Sequence, residues 1–241
     1  EQPTVLHLYI TAMEHYGLGL SEEQCGKGAL QVPSDWLTIS GGAGHMYMTS
    51  FWNHDENLIY NVNGKYPMKL DGSMGATADE IILHDGDFVD VAMFSDWSFH
   101  SYPQSGFHFF SETQTDPQKA FRIPHGEPLT LTYLLTHSDM GAGPDVATTF
   151  TAVPGQTVYY GMSFDEAKAQ AATTDAEGKV HLTFDAEGTW YIWTKGGYAG
   201  AEDPYLPPVV VSAPGCAVVR VTKTAADVET LIEAIGEVSL D

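Results

Sequence analysis

Thr174-Asp-Ala-Glu-Gly-Lys-Val-His-Leu-Thr-Phe-Asp-Ala-Glu-Gly-Thr-Trp-Tyr-Ile192 is the stretch that sets the fold class. Val180, Leu182 and Phe184 alternate with Lys179, His181 and Thr183, the period of a strand with one buried face. The near-repeat Asp175-Ala-Glu-Gly178 and Asp185-Ala-Glu-Gly188 places a turn at each end of that strand. Trp190 and Ile192 then alternate with Tyr191 and Trp193, so the two tryptophans face opposite sides of their strand. One of them is expected to point outward, near Tyr191 or Tyr198.

The same pattern extends in both directions. Leu129, Leu131 and Tyr133 alternate with threonines, and Val209–Val211 and Val218–Val221 follow as further apolar runs. Short strands with frequent turns predict two packed sheets over residues 125–223. Phe164–Ala172 is expected as a short helix between strands. Asp139 with Asp145, and Asp175 with Glu177, put carboxylates on loops; calcium wants six to eight oxygens and no EF-hand spacing occurs, so both read as turns.

Before Pro124 the text is also mostly strand. Val5–Ala12 alternates Leu6, Leu8 and Ile10 against His7, Tyr9 and Thr11 and predicts a strand, and Met46–Phe51 predicts another. Leu58–Val62 and Lys65–Leu70 flank Asn63-Gly64, a pair suited to a type I′ hairpin, with Pro67 marking its strand as an edge. Ile81–Leu83 is expected to meet Phe88–Phe94 across Asp85-Gly86. Ser21–Leu30 is the helix candidate of this half, weakened by Gly26 and Gly28. At the far end, Val228, Leu231, Ile232 and Ile235 follow a capping-box-like Thr224–Asp227 at helical spacing, which predicts the first helix of a further module over 224–241.

At 241 residues and 26.2 kDa the chain has room for two cores, at roughly 100–150 residues per domain. Ten Lys and Arg stand against 32 Asp and Glu, a net charge of −22, which argues against nucleic acid and anionic lipid as partners. No run of about 18 apolar residues is present, so no membrane insertion is expected. Cys25 and Cys216 fall in different expected domains and read as two isolated buried thiols.

Three stretches carry a resemblance. Tyr60-Asn-Val-Asn-Gly64 followed by Leu83-His-Asp-Gly-Asp-Phe-Val89 resembles the signature of a β-grasp-like domain family related to the C-terminal domain of transcobalamin. The Thr174–Ile192 stretch, with Ala213-Pro-Gly-Cys-Ala-Val-Val-Arg-Val221, resembles the late strands of bacterial immunoglobulin-like surface domains. Residues 228–241 resemble the start of helical repeats in Gram-positive cell-surface proteins. Together these imply a secreted, cell-wall-associated, multi-domain bacterial protein, and they supply no functional residues.

Catalytic signatures are absent from the sequence: no nucleophile elbow, zincin helix, phosphate loop or dinucleotide fingerprint occurs. The chain is therefore expected not to be an enzyme and to need no cofactor. The richest local chemistry is Asp96–Phe110, where Trp97 and Tyr102 can offer flat faces to a ligand and His100 and His108 can orient it. The competing reading builds Trp97, Phe107 and Phe109 into the core, and Trp36 and Trp52 carry the same ambiguity. The histidine spacing fits no closed zinc pattern.

The sequence thus predicts a mainly β chain: an α+β, β-grasp-like domain over 1–124, an immunoglobulin-like sandwich over 125–223, and a truncated helical module over 224–241. Its expected function is non-catalytic adhesion, ligand binding or spacing at a cell surface, with a surface glycan or protein as partner. Two alternatives are capture of a corrinoid, implied by the transcobalamin resemblance, and an accessory carbohydrate-binding role within a larger secreted enzyme.

Overall fold

The computed structural model describes residues 2–27, 29–53, 57–73, 75–94, 105–113, 120–139, 147–199 and 210–223. The protein is mainly β, as the alternation predicts. It divides into two compact units: Glu1–Phe107 with His137–Thr149 and Tyr198–Val211, and His108–Thr136 with Phe150–Gly197 and Ser212–Asp241. The expected helix over 224–241 lies outside the described residues.

In the first unit Val5–Ala12 is helix α1, not a strand. The eight residues carry both periods, because Val5, Leu6 and Tyr9 also make one helical face, which Met13 continues, and these three are the buried ones of the helix. The cap decides between them. Thr4 Oγ1 accepts the His7 N–H at 3.4 Å while the Thr4 N–H donates to His7 Nδ1 at 3.1 Å, a reciprocal box with histidine in the place of glutamate. The N–H groups of Val5 and Leu6, which a helix leaves unpaired, donate to the carbonyls of Ile81 and Ala78 at 3.0 and 2.9 Å.

Two antiparallel ribbons follow it in this unit: β1 (Leu37–Ser40) with β2 (Tyr47–Phe51), and β3 (Asn57–Val62) with β4 (Val89–Phe94). Asn63 and Gly64 turn as expected, with φ of 54° and 71°. The expected partner strand Lys65–Leu70 does not form. After a single bridge from Val62 to Lys65 the chain leaves, and β3 pairs with β4 from Asn57↔Phe94 to Val62↔Val89. Asn63 ties that long-range pairing, donating to Asp87 Oδ1 at 2.6 Å and accepting the Phe88 N–H at 3.1 Å. Ile81–Leu83 contributes one isolated bridge, Ile82 to Thr4, in place of the expected strand. In place of the expected helix, residues 22–26 form a turn: Cys25 N–H reaches Ser21 O, and Gly26 N–H is drawn to the buried Glu14 carboxylate at 2.6 Å. Tyr9 packs edge-on against Phe51 and Tyr60 at 4.9 and 6.2 Å, and with Val5, Leu6, Met13, Leu37 and Ala78 they form the core.

The remaining strands are β5 (Gly106–Phe110), β6 (Phe121–Pro124), β7 (Leu129–Asp139), β8 (Ala147–Ala152), β9 (Thr157–Gly161), β10 (Gln170–Thr173), β11 (Lys179–Leu182), β12 (Gly188–Trp193), β13 (Gly197–Ala199), β14 (Val210–Ala213) and β15 (Cys216–Thr222). Among the described residues, one sheet has the order β10-β9-β12-β15-β6 and another the order β11-β7-β5-β14-β13, with β8 on β7. β6, which ends at the expected domain boundary at Pro124, pairs in parallel with β15. Phe164–Ala172 holds one 3-10 turn, Glu166–Lys168, capped by Asp165, before entering β10.

The second unit's core takes alternate residues from both sheets: Leu131, Tyr133, Val180 and Leu182 from one, Val158, Tyr160, Trp190, Ile192, Val219 and Val221 from the other. The turn before β11 shows how local chemistry fixes the register. Asp175 Oδ1 accepts the N–H groups of Glu177 and Lys179 at 3.0 and 2.8 Å. Gly178 follows at φ 74°, where a Cβ would sit 2.9 Å from the Tyr133 carbonyl oxygen, so only glycine fits.

Candidate functional site

β12 places the site. Its inward residues, Trp190 and Ile192, belong to the core; Trp190 is 4 % exposed and its Nε1–H donates to the Ala186 carbonyl at 3.0 Å. Its outward residues are Thr189, Tyr191 and Trp193, so Trp193 is the tryptophan that faces away, beside Tyr191. The neighbouring strand β9 buries Val158 and Tyr160 and turns Tyr159 outward, directly opposite Trp193 in the register. The two rings lie 5.9 Å apart and 22° from parallel.

A loop residue completes the cluster. Phe164, between β9 and the 3-10 turn, lies 4.6 Å from Tyr191 and 5.2 Å from Trp193 and is nonetheless 60 % exposed. Met162 beside it is 53 % exposed. Four rings thus cover one outer sheet face that the core does not require.

Charges border the rings. Lys195 Nζ stands 5.3 Å from the centre of the Tyr159 ring and 2.6 Å from Glu166 Oε2. The hydrogen bond from Lys195 holds the Glu166 carboxyl below its ordinary range, and the same bond raises Lys195. Lys168 pairs with Asp165 at 2.8 Å. Such an array can stack a flat, partly apolar ring and hydrogen-bond its rim; it sits on short strands whose opposite face is locked in the core.

Of the residues singled out from sequence, Trp97, His100 and Tyr102 lie outside the described residues. His108 is described, and it lies in the interior at 6 % exposure. Its Nδ1–H donates to the Ala213 carbonyl at 3.0 Å, and its ring stacks on Tyr133 at 5.3 Å and 14°. Burial pushes its pKa down to about 4, against the pull of that hydrogen bond. Tyr133 in turn shares a 2.6 Å hydrogen bond with Thr194, whose hydroxyl also accepts the Gly215 N–H at 2.9 Å. This is an interior polar network holding β7, β14 and the turn before β15 together.

Other candidates resolve as follows. Asp175 spends Oδ1 on its own turn while Oδ2 stands 4.0 Å from His181 Nε2, and among the described residues no group of three or more His, Cys, Asp or Glu is placed to hold a metal ion. Both cysteines are free; Cys25 is buried, and Cys216 is exposed where a buried thiol was expected. Trp36 and Trp52 stack at 6.0 Å and 17°, half-buried against the first unit's core. Sequence reasoning singles out neither Tyr159 nor Phe164 as a site residue. The alternation Val158/Tyr160 against Tyr159 within Thr157–Gly161 was the available signal for the first; nothing local marks the second. No known protein family, curated protein or solved structure matches the chain.

Proposed function

We propose that this chain is a non-catalytic binding segment of a modular, extracellular, cell-wall-associated bacterial protein, and that its ligand is a glycan laid on the outer face of the β10-β9-β12-β15-β6 sheet. The observation that carries this reading is the cluster of Tyr159, Phe164, Tyr191 and Trp193, four aromatic rings turned away from a core that is complete without them. Sugar rings present C–H faces that stack on aromatic planes, while their hydroxyls accept hydrogen bonds from groups such as Lys195 and donate them to carboxylates such as Glu166. The two-sheet architecture and its strand order support an immunoglobulin-like identity for the second unit, consistent with the resemblance of its late strands. Fold alone does not carry the function; the outward rings do.

A glycan array probed with the full chain tests the reading, with Trp193→Ala and Tyr191→Ala as comparisons. Binding to one group of glycans, lost in both variants, is the expected result. An array on which the folded chain binds no carbohydrate would overturn it.

A further inference from the structure

Arg122 and Arg220 are the only arginines in the chain, two of its ten basic residues. The parallel pairing of β6 with β15 makes them register partners on adjacent strands. Both are exposed, and their flanking residues Phe121, Ile123, Val219 and Val221 pack inward, so the two guanidinium groups share the outer face that carries the rings. Like charges side by side on neighbouring strands are unfavourable. In a chain with 32 acidic residues a carboxylate partner would be easy to place, yet among the described residues neither arginine has an ion-pair partner. The lysines of this face differ, since Lys195 and Lys168 are each paired with an acid.

The register also gives the route between the two features. Arg220 stands opposite Thr189, Val218 opposite Tyr191, and Cys216 opposite Trp193. From the arginine row to the Trp193 row is four residues of strand, roughly 14 Å at the usual rise. That distance suits an oligosaccharide lying along the strands.

We propose that this face selects an acidic glycan, one sugar ring resting on Tyr191 and Trp193 and the carboxylate of a uronic acid further along the same oligosaccharide held by Arg122 and Arg220. The inference rests on the glycan reading above and names its chemical class. A guanidinium fork matches a carboxylate with two parallel hydrogen bonds, and an anion between two forks side by side relieves their mutual repulsion. The −22 charge of the chain disfavours long, densely charged polymers such as nucleic acid, while a short uronate oligosaccharide brings only a few charges near it.

Calorimetric titration of the full chain with uronate oligosaccharides (oligogalacturonate, alginate and hyaluronan fragments), with their neutral methyl esters, and with polyglutamate and single-stranded DNA tests the proposal. At least one acidic oligosaccharide is expected to bind roughly tenfold tighter than its ester, and to weaken with salt. Arg122→Gln with Arg220→Gln brings acid binding down to the level of the ester, whereas Trp193→Ala weakens acid and ester alike. Equal binding of acid and ester, or binding of neutral glycans alone, overturns the acidic-glycan inference and leaves the glycan reading standing. Binding of no carbohydrate overturns both, and tighter binding of polyglutamate or DNA than of any oligosaccharide overturns the choice of ligand class.

Discussion

Acidification from pH 7 to pH 5 is expected to weaken the second unit through His108. Its imidazole is buried against Tyr133 with Nδ1 on the Ala213 carbonyl, and its pKa falls from an ordinary 6.5 to about 4. A depressed histidine binds fewer protons folded than unfolded between those values, so stability is fully present above about 6.5 and is lost as pH falls toward 4. Linkage gives a loss of about 2 kcal/mol from pH 7 to 5, and about 3 kcal/mol once both states are protonated. The window from 7 to 5 is chosen because Asp165 and Glu166 are held below their ordinary ranges and stay charged there. His108→Phe keeps a ring on Tyr133, loses the bond to Ala213 at a cost of roughly 1 kcal/mol, and cannot titrate. Urea unfolding read by hydrogen exchange in peptides covering Gly188–Trp193 should therefore show the variant weaker at pH 7, with the gap closed or reversed at pH 5. An unchanged pH dependence in His108→Phe, or an imidazole NMR titration of His108 near 6.5, would refute the reasoning.

Asp90 in the first unit should respond with the opposite sign. Burial raises its carboxyl to about 6 and its Oδ2 has no hydrogen-bond partner, so the folded state holds extra protons between about 4 and 6 and stability falls as pH rises through that range. Asp90→Asn should stabilise that unit at pH 7 by about 1–3 kcal/mol and by little at pH 4, measured by the same exchange experiment on α1 peptides. Gly215→Ala places a Cβ 2.9 Å from Tyr133 Cε2 and 3.1 Å from the backbone at His108 and Phe109; a loss of about 1–3 kcal/mol is expected in thermal melts. Trp190→Ala empties a core site and should cost about 3–5 kcal/mol, whereas Trp193→Ala should cost under about 1.5 kcal/mol in urea titrations, and equal costs would contradict their assignment to opposite faces.

The second unit was largely legible because a strand with one buried face writes its burial at every second residue. Val180, Leu182, Trp190 and Ile192 are inward and His181, Tyr191 and Trp193 outward, as the alternation predicts. α1 was not legible by period alone: eight residues rich in Val, Ile and Tyr satisfy a period of two as well as a helical face, and the deciding signal was Thr4 with His7 three residues on. The turn at Asn63-Gly64 could be read, but its pairing could not. Turn chemistry is local, whereas the choice of β4 over Lys65–Leu70 depends on Asp87 and Phe88, more than twenty residues away. Of the candidate site, Tyr191 and Trp193 follow from alternation. Phe164 is delivered by a loop whose path depends on tertiary structure.

Cys216 stands opposite Trp193 across the β12–β15 ladder and is exposed, whereas Cys25 is buried. The native chain therefore carries a single accessible attachment point one strand from the proposed ligand platform. A maleimide fluorophore placed there, at mildly alkaline pH because lost hydration raises the thiol pKa, would be quenched by the indole next to it. Occupancy of the rings would change that quenching, giving a direct optical readout without engineering a cysteine.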